Sequence, residues 1–185
     1  RFYTTRALGL QILSWTAGSD ASEIFSPGQV HDVGFDMSGG SGIRPPLVIA
    51  VANQKGGVGK TTTAVSLSAG LAIAGVRTVL IDLDGQGSAT ATFRRTDGTE
   101  GPAGATELFL RELPLASASV DTHVAGLRLV PADEQMVGLD TKLASAFGRE
   151  RILARCLAGA RAPDPEAVII DTAPHLGLVT LNALI

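Results

Sequence analysis

The sequence predicts an α/β fold built on a mostly parallel sheet, and three observations carry that prediction. From Leu47 onward, short apolar runs alternate with helix-length segments, the ordering that lays strands side by side with helices between them. The first run, Leu47–Ala52, leads into Asn53-Gln54-Lys55-Gly56-Gly57-Val58-Gly59-Lys60-Thr61-Thr62 and then into a helical segment. Two later apolar runs each end on an acid, Asp82 and Asp171.

Taken in order, Leu47-Val48-Ile49-Ala50-Val51-Ala52 is the first strand and residues 61–74 the first helix. Gly75 stands where a helix C′ glycine belongs. Residues 78–81 form a second strand that runs into Asp82. The charged, glycine-bearing stretch 94–104 reads as a loop, 106–113 as a short helix, and Leu127–Val130 before Pro131 as a third strand. Two helical segments near 135–147 and 150–160 precede Pro163-Asp164-Pro165, and residues 167–170 form the last strand, delivering Asp171. Residues 178–185 read as the start of another helix.

The first 46 residues differ in kind. They lack sustained apolar periodicity and close on Ser38-Gly39-Gly40-Ser41-Gly42 before Pro45-Pro46. We expect residues 1–46 to be an irregular, disordered leader or upstream segment, with Met37 as a natural start and 47–185 as the folded portion. A targeting peptide is the alternative, because the first 19 residues hold Arg1 and Arg6 and no acid.

Bulk composition sets outer limits. With 185 residues, 45% apolar and 18% charged, the chain is long enough for an ordinary core and has no fibrous bias. A net charge of −3 does not advertise nucleic-acid binding, although a local basic patch is compatible with it. The single cysteine, Cys156, excludes a disulfide framework and suits a reducing compartment. No apolar run reaches the 18 residues of a membrane-spanning helix.

The chemistry concentrates at strand ends. Strand, glycine-rich loop, Lys, Thr and helix make a phosphate cradle: backbone N–H groups converge on an anion at the helix N-terminus. Gly56, Gly57 and Gly59 permit the turn around Val58. Lys60 can place a point charge on terminal phosphates, and the Thr61 hydroxyl, with Thr62 beside it, can hold Mg²⁺. The pattern predicts a nucleoside triphosphate as ligand. Asp82 and Asp84 fall on one side of an extended segment, so both carboxylates can face the phosphates. Asp171 at a buried strand tip has the form of a carboxylate that holds the Mg²⁺ shell.

The loop departs from the ordinary phosphate-binding spacing at Gln54, and a second lysine, Lys55, stands at its start. Lys55-Gly56-Gly57-Val58-Gly59-Lys60-Thr61 resembles the deviant Walker A loop of the ParA/MinD ATPases, in particular the ParA/Soj type. Asp82-Leu83-Asp84-Gly85-Gln86-Gly87-Ser88-Ala89-Thr90 is similar to that family's second motif, with Gly85 in place of a proline. Asp171-Thr172-Ala173-Pro174-His175-Leu176-Gly177 is similar to its third, with Ala173 in place of the first proline. His175 reads as a solvent-exposed loop residue, and His31 and His123 carry no assignment.

This resemblance implies a P-loop NTPase-like three-layer α/β/α fold, incomplete at the C-terminus, spanning residues 47–185. It implies ATP and Mg²⁺, and hydrolysis in which Lys60 stabilises phosphate charge, Asp84 positions water, and Thr61, Asp82 and Asp171 serve the metal. Lys55 would act in trans across a homodimer formed on ATP binding. The implied activity is segregation of chromosomal or plasmid DNA, with a ParB-like activator, nonspecific DNA contacts and a cytoplasmic, nucleoid-associated location. Two alternatives are a MinD-like ATPase carrying an amphipathic membrane helix, and a non-catalytic nucleotide-binding fragment. One cysteine argues against relatives that carry iron–sulfur clusters. Family architecture further implies that Leu47–Ala52 would be an open, apolar sheet edge.

Overall fold

The computed structural model describes residues 2–7, 10–15, 45–93, 104–160 and 165–185. Its strands are Phe2–Ala7 (β1), Leu10–Trp15 (β2), Leu47–Ala52 (β3), Thr78–Leu83 (β4), Val120–Asp121 (β5), Leu127–Val130 (β6) and Ala167–Thr172 (β7). They form one sheet in the order β1-β2-β3-β7-β4-β6-β5. The four central strands, β3, β7, β4 and β6, pair in parallel. Antiparallel pairings join β1 to β2, β2 to β3 and β5 to β6.

Every residue of Thr78-Val79-Leu80-Ile81-Asp82-Leu83 and of Ala167-Val168-Ile169-Ile170-Asp171-Thr172 is buried. That is the signature of parallel strands covered on both faces, where an alternating pattern gives way to a continuous apolar run. Alternate side chains supply two separate cores. Val51, Leu80, Leu129 and Ile169 pack with helix Lys60–Ile73 (α1) and helix Ser88–Phe93 (α2). On the opposite face, Val48, Ile81, Val168 and Ile170 pack with the helices Ala105–Arg111 (α3), Leu115–Ala118 (α4), Leu139–Leu143 (α5), Ile152–Ala158 (α6) and Leu178–Leu184 (α7). The result is the three-layer α/β/α arrangement, each fully buried Leu or Ile contributing about 1.5–3 kcal/mol from transfer out of water.

The helix endings explain several boundaries. α1 stops in a Schellman motif: the Gly75 amide donates to the Ala72 carbonyl at 2.9 Å and the Val76 amide to the Leu71 carbonyl at 3.0 Å. The segment expected as one helix near 135–147 divides into a 3₁₀ turn, Glu134–Met136, and α5, because Gly138 adopts φ +93 between them. Likewise a 3₁₀ turn, Arg149–Arg151, precedes α6. The short elements α2, α4 and β5 were not predicted; each is too short for a period to register.

The N-terminal expectation needs correction where the strands are described. Phe2–Ala7 and Leu10–Trp15 are regular strands, and Gln11 to Trp15 pair with Ala52 to Val48. Leu47–Ala52 is therefore paired on both sides, by β2 and by β7. A sheet edge presents a row of unpaired N–H and C=O groups, and an adjacent extended segment satisfies them regardless of side-chain periodicity. Met37, His31, the predicted loop over residues 94–103 and the turn at 163–164 lie outside the described residues.

Candidate functional site

Three strand tips meet at the C-terminal end of the parallel sheet. Register places Asp171 of β7 between Val51 of β3 and Asp82 of β4. The loop after β3 and the loops after β4 and β7 therefore share one end of the sheet, where ligands bind in open α/β folds.

The glycine-rich loop is set at both ends by its own backbone chemistry. Asn53 Oδ1 accepts the Lys55 amide at 2.8 Å, forming an Asx-type turn as the chain leaves β3. At the other end Gly59, the residue before α1, adopts φ +88, a conformation open to glycine at little cost. The first backbone bond of α1 runs from the Thr63 amide to the Gly59 carbonyl at 2.9 Å, and no side chain caps the helix. The amides of Lys60, Thr61 and Thr62 are thus uncommitted to the helix ladder at its positive end, where an anion is favoured. No acidic residue occupies the first turn to compete for that place.

Lys60 is buried, and its Nζ donates to the Lys55 carbonyl at 3.5 Å, which leaves its other protons for a ligand. Lys55, Gly56 and Gly57 are exposed. Val58 is half-buried against the α1 face of the core, and Thr61 is half-buried beside Asp171. The Thr172 hydroxyl donates to the Val51 carbonyl at 2.9 Å and ties the ends of β7 and β3 together beside the loop.

The two buried aspartates differ sharply. Asp82 Oδ2 accepts the Thr90 amide at 2.8 Å and the Thr90 hydroxyl at 2.7 Å, while Oδ1 accepts the Asp84 amide at 3.1 Å. It caps α2 from a neighbouring strand and anchors the Asp84 turn. Burial pushes its carboxyl above the ordinary range, and the Thr90 and Asp84 donors pull the other way. Of its two expected roles, metal and loop, these three hydrogen bonds are the loop contacts.

Asp171 has both carboxylate oxygens buried and neither in a hydrogen bond. Burial, with the charges of Asp82 and Asp84, pushes its carboxyl up to about 6; the Thr61 hydroxyl and the Lys60 ammonium face it and oppose that shift, short of a formed hydrogen bond. An unpartnered buried carboxylate is costly unless a cation joins it. The residues present fit Mg²⁺: a hard oxygen donor without a partner, a hydroxyl beside it, and a phosphate-ready helix end. Among the described residues no cluster of three or more His, Cys, Asp or Glu side chains forms a closed cage. A divalent ion here would draw the rest of its shell from phosphate and water.

Asp84 is half-buried; its Oδ1 accepts the Gln86 amide at 3.0 Å and its carbonyl accepts the Gly87 amide at 2.8 Å. Between this turn and Ala173–His175 lies a cavity of about 400 Å³ floored by Val179 and Thr180. None of residues 53–62 lines it. His175 is exposed at its rim, as expected from sequence. His123 stacks near Phe93, with ring centroids 5.8 Å apart.

Some contributors were not singled out from sequence. Asp140 of α5 caps α7, its Oδ1 accepting the Val179 amide at 2.9 Å. A side chain at Gly177 would collide with Asp140 Oδ2, so the glycine lets the Asp140 cap sit where it does. Thr90 entered only as the last letter of a motif. The available signal was its position just inside a helix start, three residues after Gly87, where a carboxylate cap is common.

Comparison with known proteins follows the same boundaries. The family profile described as an AAA domain matches residues 47–185. The chain is 39% identical over 147 residues to a chromosome partitioning protein ParA of Caulobacter vibrioides, covering 76% of this chain and 52% of that protein. Among solved structures, cobyrinic acid a,c-diamide synthase from Mycobacterium smegmatis, with bound ATP analogue and magnesium, superposes with TM-score 0.66 at 42% identity. That match covers 74% of this chain and 55% of that one. A plasmid partition protein from Borrelia burgdorferi, bound to AMPPNP, gives TM-score 0.66 at 25% identity over 76% of this chain and 57% of that one. The chain spans about half the length of the curated relatives it matches. No helix among the described residues is long and apolar enough to cross a membrane.

Proposed function

The chain belongs to the AAA-domain family, and on that premise we propose that it binds ATP with Mg²⁺ and hydrolyses it to segregate chromosomal or plasmid DNA. One observation above all supports the reading: Asp171, with two unpartnered buried oxygens, stands beside Lys60 and Thr61 at the uncapped start of α1. A buried anion without a donor next to a phosphate cradle is the arrangement that a metal–triphosphate ligand completes.

The residues divide the work by their chemistry. Gly56, Gly57, Val58 and Gly59 shape the loop, and the Lys60, Thr61 and Thr62 amides hold phosphate oxygens. Lys60 neutralises charge developing on the γ-phosphoryl oxygens. Thr61 and Asp171 would hold Mg²⁺, which would supply neutralisation of phosphate charge. Asp84 orients the attacking water, and Asp82 keeps Asp84 in place. Lys55, exposed and free to meet a second copy, reaches the partner's phosphates in an ATP-bound homodimer; such a trans cation contributes about 10³–10⁵ in rate. A ParB-like partner stimulates the reaction, and the dimer binds DNA without sequence preference in a cytoplasmic, nucleoid-associated setting.

The direct test is titration of the chain with a fluorescent ATP analogue, with and without Mg²⁺, followed by phosphate release with and without DNA. We expect saturable binding that Mg²⁺ strengthens and Lys60→Ala abolishes. Binding indifferent to both Mg²⁺ and Lys60 would refute the site. Hydrolysis unaffected by DNA and by a ParB-like partner would remove the partitioning role while leaving the ATPase.

A further inference from the structure

We infer that Thr90 is a positioning residue for Asp84, acting through Asp82; this rests on the proposed role of Asp84 in hydrolysis. The argument begins with proton inventory. A threonine hydroxyl has one proton to give and lone pairs to accept, whereas an amide only donates and an ionised carboxylate only accepts. Thr90 Oγ1 lies 2.7 Å from Asp82 Oδ2 and 2.9 Å from the Ala132 amide. The direction is therefore forced: Ala132 N–H donates to Thr90 Oγ1, and Thr90 O–H donates to Asp82. Thr90 is 6% exposed, so water does not compete.

The relay ends at the Asp84 turn. Asp82 is wholly buried and uses its other oxygen to accept the Asp84 amide at 3.1 Å. From there the Gln86 amide bonds the Asp84 side chain at 3.0 Å and the Gly87 amide bonds its carbonyl at 2.8 Å. The Asp84 carboxylate thus takes its orientation from a backbone that leaves the sheet after Leu83, the register partner of Thr172, and is held at its first residue beyond the strand by Asp82.

The same strand exit that supplies Ala132 touches the turn a second time. A Cβ at Gly85 would lie 3.4 Å from Val137 Cγ2 and 3.6 Å from Met136 Cβ, so this face of the turn lies against the Met136 and Val137 side chains. Ala132 is itself fixed by its neighbours: the Pro131 carbonyl accepts the Ala105 amide at 2.8 Å, and Asp133 accepts the Thr106 hydroxyl at 2.7 Å. Thr90 joins this rigid corner to the turn. Valine at the same position keeps the shape, yet leaves the Ala132 amide unpaired and Asp82 with one donor fewer.

The test uses Thr90→Val and Thr90→Ser in the whole chain. In amide hydrogen exchange, Thr90→Val should raise the rates at Asp84 and Gln86 by about tenfold or more, leave Thr63 unchanged, and be reversed by Thr90→Ser. In Mg²⁺–ATP assays Thr90→Val should lose about 10–100-fold in kcat, the range for a partner that orients a functional group. KM should stay within about threefold, and serine should restore turnover. Unchanged exchange at Asp84 and Gln86, wild-type turnover in Thr90→Val, or failure of serine to rescue would each overturn the inference. If the valine variant lacks a cooperative urea transition, Thr90→Ala replaces it, with the same outcomes. Should the unmodified chain fail to bind or hydrolyse ATP, the proposed function falls, and the exchange measurement alone decides the role of Thr90.

Discussion

Asp82 and Asp171 are register partners on neighbouring parallel strands, yet one carboxylate holds three donors and the other none. Both stand at strand tips after apolar runs, so their local sequence contexts are alike. The difference comes from α2, which turns back over β4 and delivers Thr90 to Asp82, while the space beside Asp171 is bounded by the open phosphate loop.

The first prediction concerns pH. The folded Asp171 carboxyl holds its proton up to about pH 6, whereas an ordinary aspartate releases it near 3.8. Between those values the folded state binds more protons than the unfolded one, so this group's contribution to stability falls as pH rises through that window. Asp171→Asn removes the buried charge. Without nucleotide or Mg²⁺, the variant should be more stable than wild type by up to about 3 kcal/mol at pH 7, and the advantage should vanish near pH 4. Urea unfolding across pH 4–8 measures it; a constant difference would refute the assignment.

Lys55 and Lys60 should separate. Lys60→Ala should lose nucleotide binding, because Lys60 is the buried cation within the loop. Lys55→Ala should retain binding and lose both ATP-dependent dimerisation and turnover, because its exposed side chain acts on a second copy. Light scattering with ATP, together with phosphate release, distinguishes them. Wild-type turnover in Lys55→Ala would end its trans assignment.

Asp140 and Gly177 should couple. Asp140→Ala removes the α7 cap, at about 1 kcal/mol. Gly177→Ala drives a methyl group into Asp140 and should cost about 1–3 kcal/mol by overpacking. In the double variant the methyl group finds room, so the combined loss should be smaller than the sum of the two. Additive losses in a thermal or urea cycle would show that the two do not meet.

Cys156 should be inert until the chain unfolds. Burial first, then the Glu112 charge, pushes its thiol up to about 11, and its Sγ lies 3.4 Å from the Leu108 carbonyl in the core. The thiolate is the reactive form. Alkylation at pH 8 should therefore be at least about 100-fold slower than for an unfolded cysteine and should accelerate with urea along the unfolding curve. Rapid labelling of the native chain would contradict this packing.

Much of the fold was legible in sequence because its strongest elements are local patterns. Leu47–Ala52 and Leu127–Val130 fall at their predicted bounds, and α1, β4 and β7 differ from theirs by one or two residues at an end. Their apolar runs are long enough to register, and glycine or proline marks several of their ends. The Leu10–Trp15 strand escaped because it forms by pairing with β3, not by a pattern of its own. α2 escaped because Ser88-Ala89-Thr90-Ala91-Thr92-Phe93 has little helical propensity and is capped from β4.

By itself the sequence determined the strand–loop–helix cradle, the acids at the strand tips and their order along the chain, since these follow from backbone preferences of adjacent residues. Only the tertiary structure decided which donors reach each acid. The Thr90–Ala132, Asp140–Val179 and Val51–Thr172 bonds span 42, 39 and 121 residues. A hydrogen bond acts over about 3 Å of space, and the chain distance between its partners leaves no local trace. Asp82 became an anchor because donors reached it, and Asp171 remained open to a cation because none did.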